Sequence, residues 1–145
     1  MWIIFEGLDK SGKGTLEHEF LKQTNFEHIV IDRGPVGYMV FDRLFNRCTF
    51  LRAMTFTRYA TQIFESHDFM VVYCFADKNT VDKRLEEHNE TCPYNYLEAQ
   101  ILYRSAVEKC YNPKRTLMLD TTNSSVEDCV ALIIQKLKEV QQGEL

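Results

Sequence analysis

The residues most able to do chemistry lie near the start of the chain, in Gly7-Leu8-Asp9-Lys10-Ser11-Gly12-Lys13-Gly14-Thr15. This run has the spacing G-x-x-x-x-G-K of a phosphate-binding loop. Gly7, Gly12 and Gly14 are expected to let the backbone curl, so that successive N–H groups, those of Asp9, Lys10 and Ser11 among them, face an anion. A helix starting at the end of the loop adds its positive dipole end. Lys13 would then reach terminal phosphates, and the Thr15 hydroxyl is the nearest candidate for a Mg²⁺ or phosphate contact. The strict pattern has Ser or Thr directly after the lysine; here Gly14 stands there. The competing reading is a glycine turn with an incidental lysine. The hand-over from an apolar run to a helical pattern at this point argues against it.

The second anchor is Asp32-Arg33, at the end of the β-branched run Ile29-Val30-Ile31. A carboxylate there suits a Mg²⁺-linked group or the base for an acceptor hydroxyl, and Arg33 suits neutralisation of phosphate charge. The plainer alternative is a carboxylate capping the next turn beside a surface ion pair. A third feature is the stretch from Gly34 to Phe64. Arg43, Arg47, Arg52 and Arg58 oppose only Asp42 there, and Phe41, Phe45, Phe50, Phe56 and Tyr59 are interleaved with them. Cations that hold phosphates and rings that stack bases make this a candidate DNA contact. A helix with an aromatic core face and solvated arginines reads equally well.

The elements that must position these groups alternate. Trp2–Glu6, Ile29–Asp32, Asp68–Phe75 and Thr116–Asp120 read as strands, with Ile29–Asp32 taken as a buried parallel one. A helical pattern runs from the glycine loop to about Thr24, and one or two helices lie between Tyr38 and Phe64. Others span Thr80–Glu87, with Thr80 as a cap, and Tyr96–Lys109. A last amphipathic helix follows a capping box at Ser124-Ser125-Val126-Glu127. Strand and helix in alternation predict one α/β domain over residues 1–145: a three-layer parallel sheet of about four strands, with a loop over 89–95.

A chain of 145 residues with 45% hydrophobic and 26% charged content, six glycines and three prolines excludes collagen, extended disorder and coiled coil. The net charge of −4 excludes a uniformly basic nucleic-acid footprint. No apolar run approaches a membrane span. Five cysteines without C-x-x-C spacing favour a reducing cytoplasm, that of a host cell if the source is a virus. The four histidines, His18, His28, His67 and His88, show no ligand spacing.

Taken together, Phe5-Glu6-Gly7-Leu8-Asp9, Gly12-Lys13-Gly14-Thr15 and Asp32-Arg33 resemble the thymidylate kinase and deoxynucleoside (monophosphate) kinase group of P-loop kinases, in a shortened, phage-like form. Val72–Asp77 with Val81 and Arg84 is similar to the strand, loop and arginine-bearing helix before that group's lid. The starting Tyr96-Leu97-Glu98 and Tyr103 of the next helix also fit. The resemblance implies a P-loop NTPase-type fold with a short lid, ATP with Mg²⁺ held near Thr15 and Asp32, and catalytic roles for Lys13, Asp32 and Arg33. It implies a lid-side arginine at Arg84 and an adenine near Asp120-Thr121-Thr122-Asn123.

Two departures shape the substrate reading. Only Asn25–His28 separates the first helix from the Asp-Arg strand, where the group inserts further elements. Gly34-Pro35-Val36-Gly37-Tyr38 also replaces the usual residues after Asp-Arg. The expected activity is transfer of the ATP γ-phosphate to a deoxynucleoside or deoxynucleotide. The alternative is a DNA kinase acting on hydroxymethyluracil or another hydroxyl within DNA, because a large substrate can enter where cover is missing. The third reading is a non-catalytic ATP-binding module.

Overall fold

Burial along one strand sets the architecture. In β3 (Phe69–Phe75) the side chains of Phe69, Val71 and Tyr73 enter one apolar cluster and those of Met70, Val72 and Cys74 enter another. A strand buried on both faces belongs inside a sheet covered by helices on both sides. The computed structural model describes residues 1–66 and 68–143, except the side chain of Ser66. His67, grouped above with the other histidines, lies outside the described residues.

Four parallel strands line up in the order β2-β1-β3-β4, with β1 at Trp2–Glu6, β2 at Ile29–Asp32 and β4 at Thr116–Asp120. The helices are α1 (Lys13–Gln23), α2 (Pro35–Leu44), α3 (Phe50–Ser66), α4 (Lys78–Glu87), α5 (Tyr96–Cys110) and α6 (Val126–Gly143). One face of the sheet is closed by Leu16 and Phe20 of α1 with Val130, Ile133 and Leu137 of α6. The other is closed by Val36, Val40 and Phe41 of α2, Ile63 of α3, Val81 and Leu85 of α4, and Ala99, Tyr103 and Val107 of α5. Each fully buried side chain of this size contributes about 1.5–3 kcal/mol. The result is the expected three-layer α/β fold of P-loop NTPase type.

Register places the chemistry. Phe5 pairs with Asp32 and Val72, Glu6 with Tyr73, and Phe75 with Asp120, so all four strands deliver their carboxyl ends to one edge. The chain leaves β1 toward β2 on one side and later returns to β3 on the other. The crevice at such a reversal is where open α/β sheets bind ligands, and the glycine loop begins there.

Several local expectations shift. The strand β2 is at the edge of the sheet and only partly covered, with Ile29 58% exposed, because nothing pairs with its outer side among the described residues. The Tyr38–Phe64 segment is two helices, and the first starts earlier, at Pro35, where a fixed φ suits a first helical position. Asp77, not Thr80, caps α4: its carboxylate accepts the Thr80 amide at 2.8 Å. At α6 the capping hydroxyl is that of Ser125, accepting the Asp128 amide at 3.1 Å, so Asp128 takes the place expected of Glu127.

Candidate functional site

The loop from Gly7 to Gly12 curls through three left-handed residues. Gly7 has φ +147°, Lys10 +62° and Gly12 +94°. A Cβ at Gly7 would collide with the Cys74 carbonyl, so only glycine lets the loop leave β1 this close to β3. Lys10 holds the same hand of backbone with a side chain, at a cost of about 1–2 kcal/mol. The Ser11 amide closes a turn on the Leu8 carbonyl at 3.2 Å, and Gly12 caps α1. Helix geometry leaves the first amides of α1 without partners inside the helix. Gly14 plays no part in the curl, contrary to expectation: its φ is not left-handed and open space surrounds it. The Ser11 hydroxyl is buried without a partner among the described residues.

The loop walls a cavity of about 490 Å³ that runs from Asp9 through Thr15, past Asp32, to Arg84, His88 and Thr121. Lys13 is buried and its ammonium stands 3.0 Å from Asp32 Oδ1. Asp32, at the end of β2, keeps its side chain 65% exposed, so its carboxylate also faces outward. Glu17, one helical turn beyond Lys13, brings a second carboxyl against the same carboxylate. Burial, with the Asp32 hydrogen bond and charge added, lifts Glu17 to about 8. Burial works to raise Asp32 as well, but the Glu17 hydrogen bond, Lys13 and Arg33 outweigh it and hold Asp32 below its ordinary value. The two shifts run in opposite directions, which favours the proton on Glu17 and the charge on Asp32. Sequence reasoning missed Glu17, although its i+4 spacing from Lys13 placed both on one helix face.

Arg33 sits beside this pair in a left-handed conformation of φ +66°, its amide donated to the Phe5 carbonyl at 2.9 Å. Its guanidinium lies 4.0 Å from the centre of the Phe41 ring and 3.9 Å from Asp9 Oδ1. Asp9 also accepts the Tyr94 hydroxyl at 3.4 Å, and the Tyr94 ring packs edge-on against Phe41 and Phe45. The turn carrying Arg33 is held from below by Glu6, fully buried at the end of β1. Its carboxylate accepts the Gly34 and Gly37 amides at 2.9 and 3.1 Å and the hydroxyls of Tyr103 and Tyr111 at 2.8 and 2.7 Å. An anion at the first turn of α2 is well placed against the helix dipole. Burial raises the Glu6 carboxyl, and the four donors work against that rise. Glu6 had no assigned role in the sequence, because its tyrosine partners lie about a hundred residues away.

Arg84 reaches the loop from α4. It donates to the Lys10 carbonyl at 2.8 Å, to Thr121 Oγ1 at 3.2 Å and to the Thr121 carbonyl at 2.9 Å. Thr121 in turn donates its hydroxyl to the Ser11 carbonyl at 2.7 Å. Lys10 pairs with Glu90 of the 88–95 loop at 3.3 Å.

No protein-family model and no curated protein matches the chain. Among solved structures it is similar to the YorR protein of Bacillus subtilis, in complex with phosphorylated GDP, at 20% identity and a TM-score of 0.68. The match covers 99% of this chain and 98% of that one. The two chains share a fold over their whole length.

The remaining arginines stand apart, and none of Arg43, Arg47, Arg52 and Arg58 lines the cavity. Arg52 grips buried Asp42 with two bonds of 2.6 and 2.7 Å, and Arg47 is 3.7 Å from it. Arg43 and Arg58 have no ion-pair partner among the described residues. Arg47 and Arg52 each lie over a ring, Phe45 at 5.2 Å and Phe56 at 5.4 Å, and Phe56 stacks on Tyr38. No described helix is long and apolar enough to cross a membrane.

Proposed function

We propose that the chain is an ATP-dependent phosphotransferase acting on a deoxynucleoside or deoxynucleotide. The observation that carries this reading is the Lys13–Asp32 pair at 3.0 Å, set where the glycine loop meets the end of β2. It joins a phosphate-seeking cation to an ionised, outward-facing carboxylate. The nucleotide bound by the Bacillus protein supports a nucleotide ligand for the shared fold.

In the mechanism, the loop amides and Lys13 take the β- and γ-phosphates, and Lys13 exchanges Asp32 for phosphate oxygen. Asp32, released from the ammonium, orients the acceptor hydroxyl and takes its proton as the acceptor oxygen bonds to the γ-phosphorus. The bond to the bridging oxygen breaks, and ADP leaves. Glu17, still protonated, fixes the carboxylate by its hydrogen bond. Arg33, propped by Phe41 and Asp9, neutralises charge on the acceptor or on the moving phosphoryl group. Positioning and charge balance supply most of the rate.

Thr15 and Asp32 fit Mg²⁺, because an exposed hydroxyl and an ionised carboxylate are hard oxygen donors. This ion commonly uses one or two carboxylates and completes its shell with phosphate and water. When bound it would neutralise phosphate charge.

A DNA acceptor is the second reading, favoured by the open outer flank of α3, where Phe50 is 82% and Leu51 73% exposed. One assay addresses both, following labelled γ-phosphate from ATP, or GTP, into deoxynucleosides, their monophosphates, and DNA with plain or hydroxymethylated pyrimidines. Label on a free acceptor supports the first reading and label on DNA alone the second. Asp32→Asn should lose transfer while keeping ATP binding. Transfer at the wild-type rate by that variant would refute the assigned role, and ATP binding with no transfer to any acceptor would favour a non-catalytic module.

A further inference from the structure

A phosphate-binding loop must solve a problem that its glycines alone do not. Curling the backbone takes carbonyls as well as amides out of regular pairing, and a carbonyl left free to face the cavity would repel the anion that an amide attracts. Two carbonyls of this loop are engaged by side chains from distant parts of the chain. Arg84 of α4 donates to the Lys10 carbonyl at 2.8 Å. Thr121, directly after β4, donates its hydroxyl to the Ser11 carbonyl at 2.7 Å. The two side chains also hold each other, because Arg84 donates to both Thr121 Oγ1 and the Thr121 carbonyl. Thr121 is itself anchored, its amide donated to the Phe75 carbonyl at 2.8 Å, and it is only 5% exposed. Its side chain also lies directly against Gly12, where a Cβ would sit 3.5–3.6 Å from it.

We infer that Arg84 and Thr121 are positioning residues that act as one brace: they occupy the Lys10 and Ser11 carbonyls, so that an incoming phosphate meets the loop's amides. The inference rests on the phosphate-binding reading of the cavity and deepens it. It moves the work of Arg84 from direct phosphate contact to the loop's own backbone. Three donations to two residues use the planar fork of a guanidinium, whose directional donors a single ammonium cannot reproduce. Lys10 has a further stake, since its left-handed backbone persists only if its surroundings over-determine it.

The experiment measures the affinity of a fluorescent ATP analogue for the full chain and for Thr121→Val, Thr121→Ser, Arg84→Lys and the Thr121→Val/Arg84→Lys double variant. The ligand-free amide NMR spectrum of each is recorded alongside. Thr121→Val and Arg84→Lys should each weaken binding by about tenfold, and the double variant should bind no more weakly than the worse single one, because both break one brace. Thr121→Ser, which keeps the hydroxyl, should stay within about twofold of wild type. The ligand-free Gly12 and Lys13 amide resonances should move in the first two variants and hold still in Thr121→Ser. Arg84→Lys binding as tightly as wild type, single effects that multiply in the double variant, or unmoved amide resonances would each overturn the inference. Should one variant fail to fold, the other still supplies its affinity and its spectrum. Wild-type chain that bound no ATP would sink the proposed donor instead, and the ligand-free amide shifts would still decide the brace.

Discussion

The glycine loop that walls the cavity and the Arg33 turn beside it are built from different materials. On the glycine-loop side the working groups are backbone amides, and their positions follow from φ angles that Gly7 and Gly12 alone can hold without strain. On the Arg33 side the working groups are side chains held by other side chains: a guanidinium on the Phe41 face, Asp9 shared with Tyr94, and Glu6 beneath them accepting four donors. The first kind of site is written in a short run of sequence. The second is assembled from β1, α2, α5 and a loop, and no contiguous motif spells it. Under the proposed function the glycine loop is the donor side and tolerates little variation, while the Arg33 turn is the acceptor side and can be retuned by exchanging rings and tyrosines.

The largest effect expected from a single change is on the donor side. Lys13→Ala removes the loop cation paired with Asp32, and transfer should fall by about 10²–10³ with the fold intact, as read by labelled phosphate and circular dichroism. Retained transfer would break the comparison at its root. On the acceptor side the most disruptive change is Gly37→Ala. The new Cβ would lie 2.6 Å from both Arg33 Cγ and Glu6 Oε1 and would collide with the Tyr103 hydroxyl. Overpacking of this kind costs about 2–3 kcal/mol. Urea unfolding should show that loss, and the acceptor KM should rise more than the ATP affinity falls.

The same contrast explains what the sequence disclosed. The glycine loop, all four strands and the α/β alternation were legible because each depends on residues close together in the chain. Lys13 and Asp32 could be named for the same reason: each ends or begins an element with a recognisable pattern. Glu6 and Glu17 were missed, and Thr121 was read only as part of a loop near the adenine, because their meaning lies in partners. Tyr111 stands 105 positions from Glu6, and the Ser11 carbonyl 110 from Thr121. Gly14 was over-read, since a glycine in a motif invites a conformational role that its helical φ does not need. The edge position of β2 was hidden because strand order is decided by crossovers, and an apolar run reads alike in the middle or at the margin of a sheet.

A smaller effect, and one with a pH signature, is expected where α2 meets α3. The Arg52 hydrogen bonds, then the Arg52 and Arg47 charges, outweigh burial and hold Asp42 below its ordinary value of 3.8. A carboxyl whose folded value is depressed stabilises the fold above its unfolded value and loses that contribution as pH falls through the folded one. Asp42→Asn should therefore melt several degrees lower than wild type at pH 7, with the gap narrowing steadily below about pH 4. A gap that stayed constant down to pH 3 would show that the carboxylate charge is not what holds the two helices together.

The smallest effect separates two glycines of one motif. Gly12 caps α1 at φ +94°, with Thr121 in contact range, so Gly12→Ala should destabilise the chain by about 1–2 kcal/mol. Gly14 lies two residues later on the exposed first turn of α1, with nothing within 4 Å of an added Cβ. There the unfolded chain loses more freedom than the folded one gains from glycine, and Gly14→Ala should stabilise by about 0.5–1 kcal/mol in urea unfolding. If Gly14→Ala is instead destabilising, its backbone is not ordinary helix and the curl extends a full turn further than its φ implies. If it stabilises the fold yet weakens ATP binding, the space above Gly14 belongs to the ligand, and its glycine serves the phosphate rather than the chain.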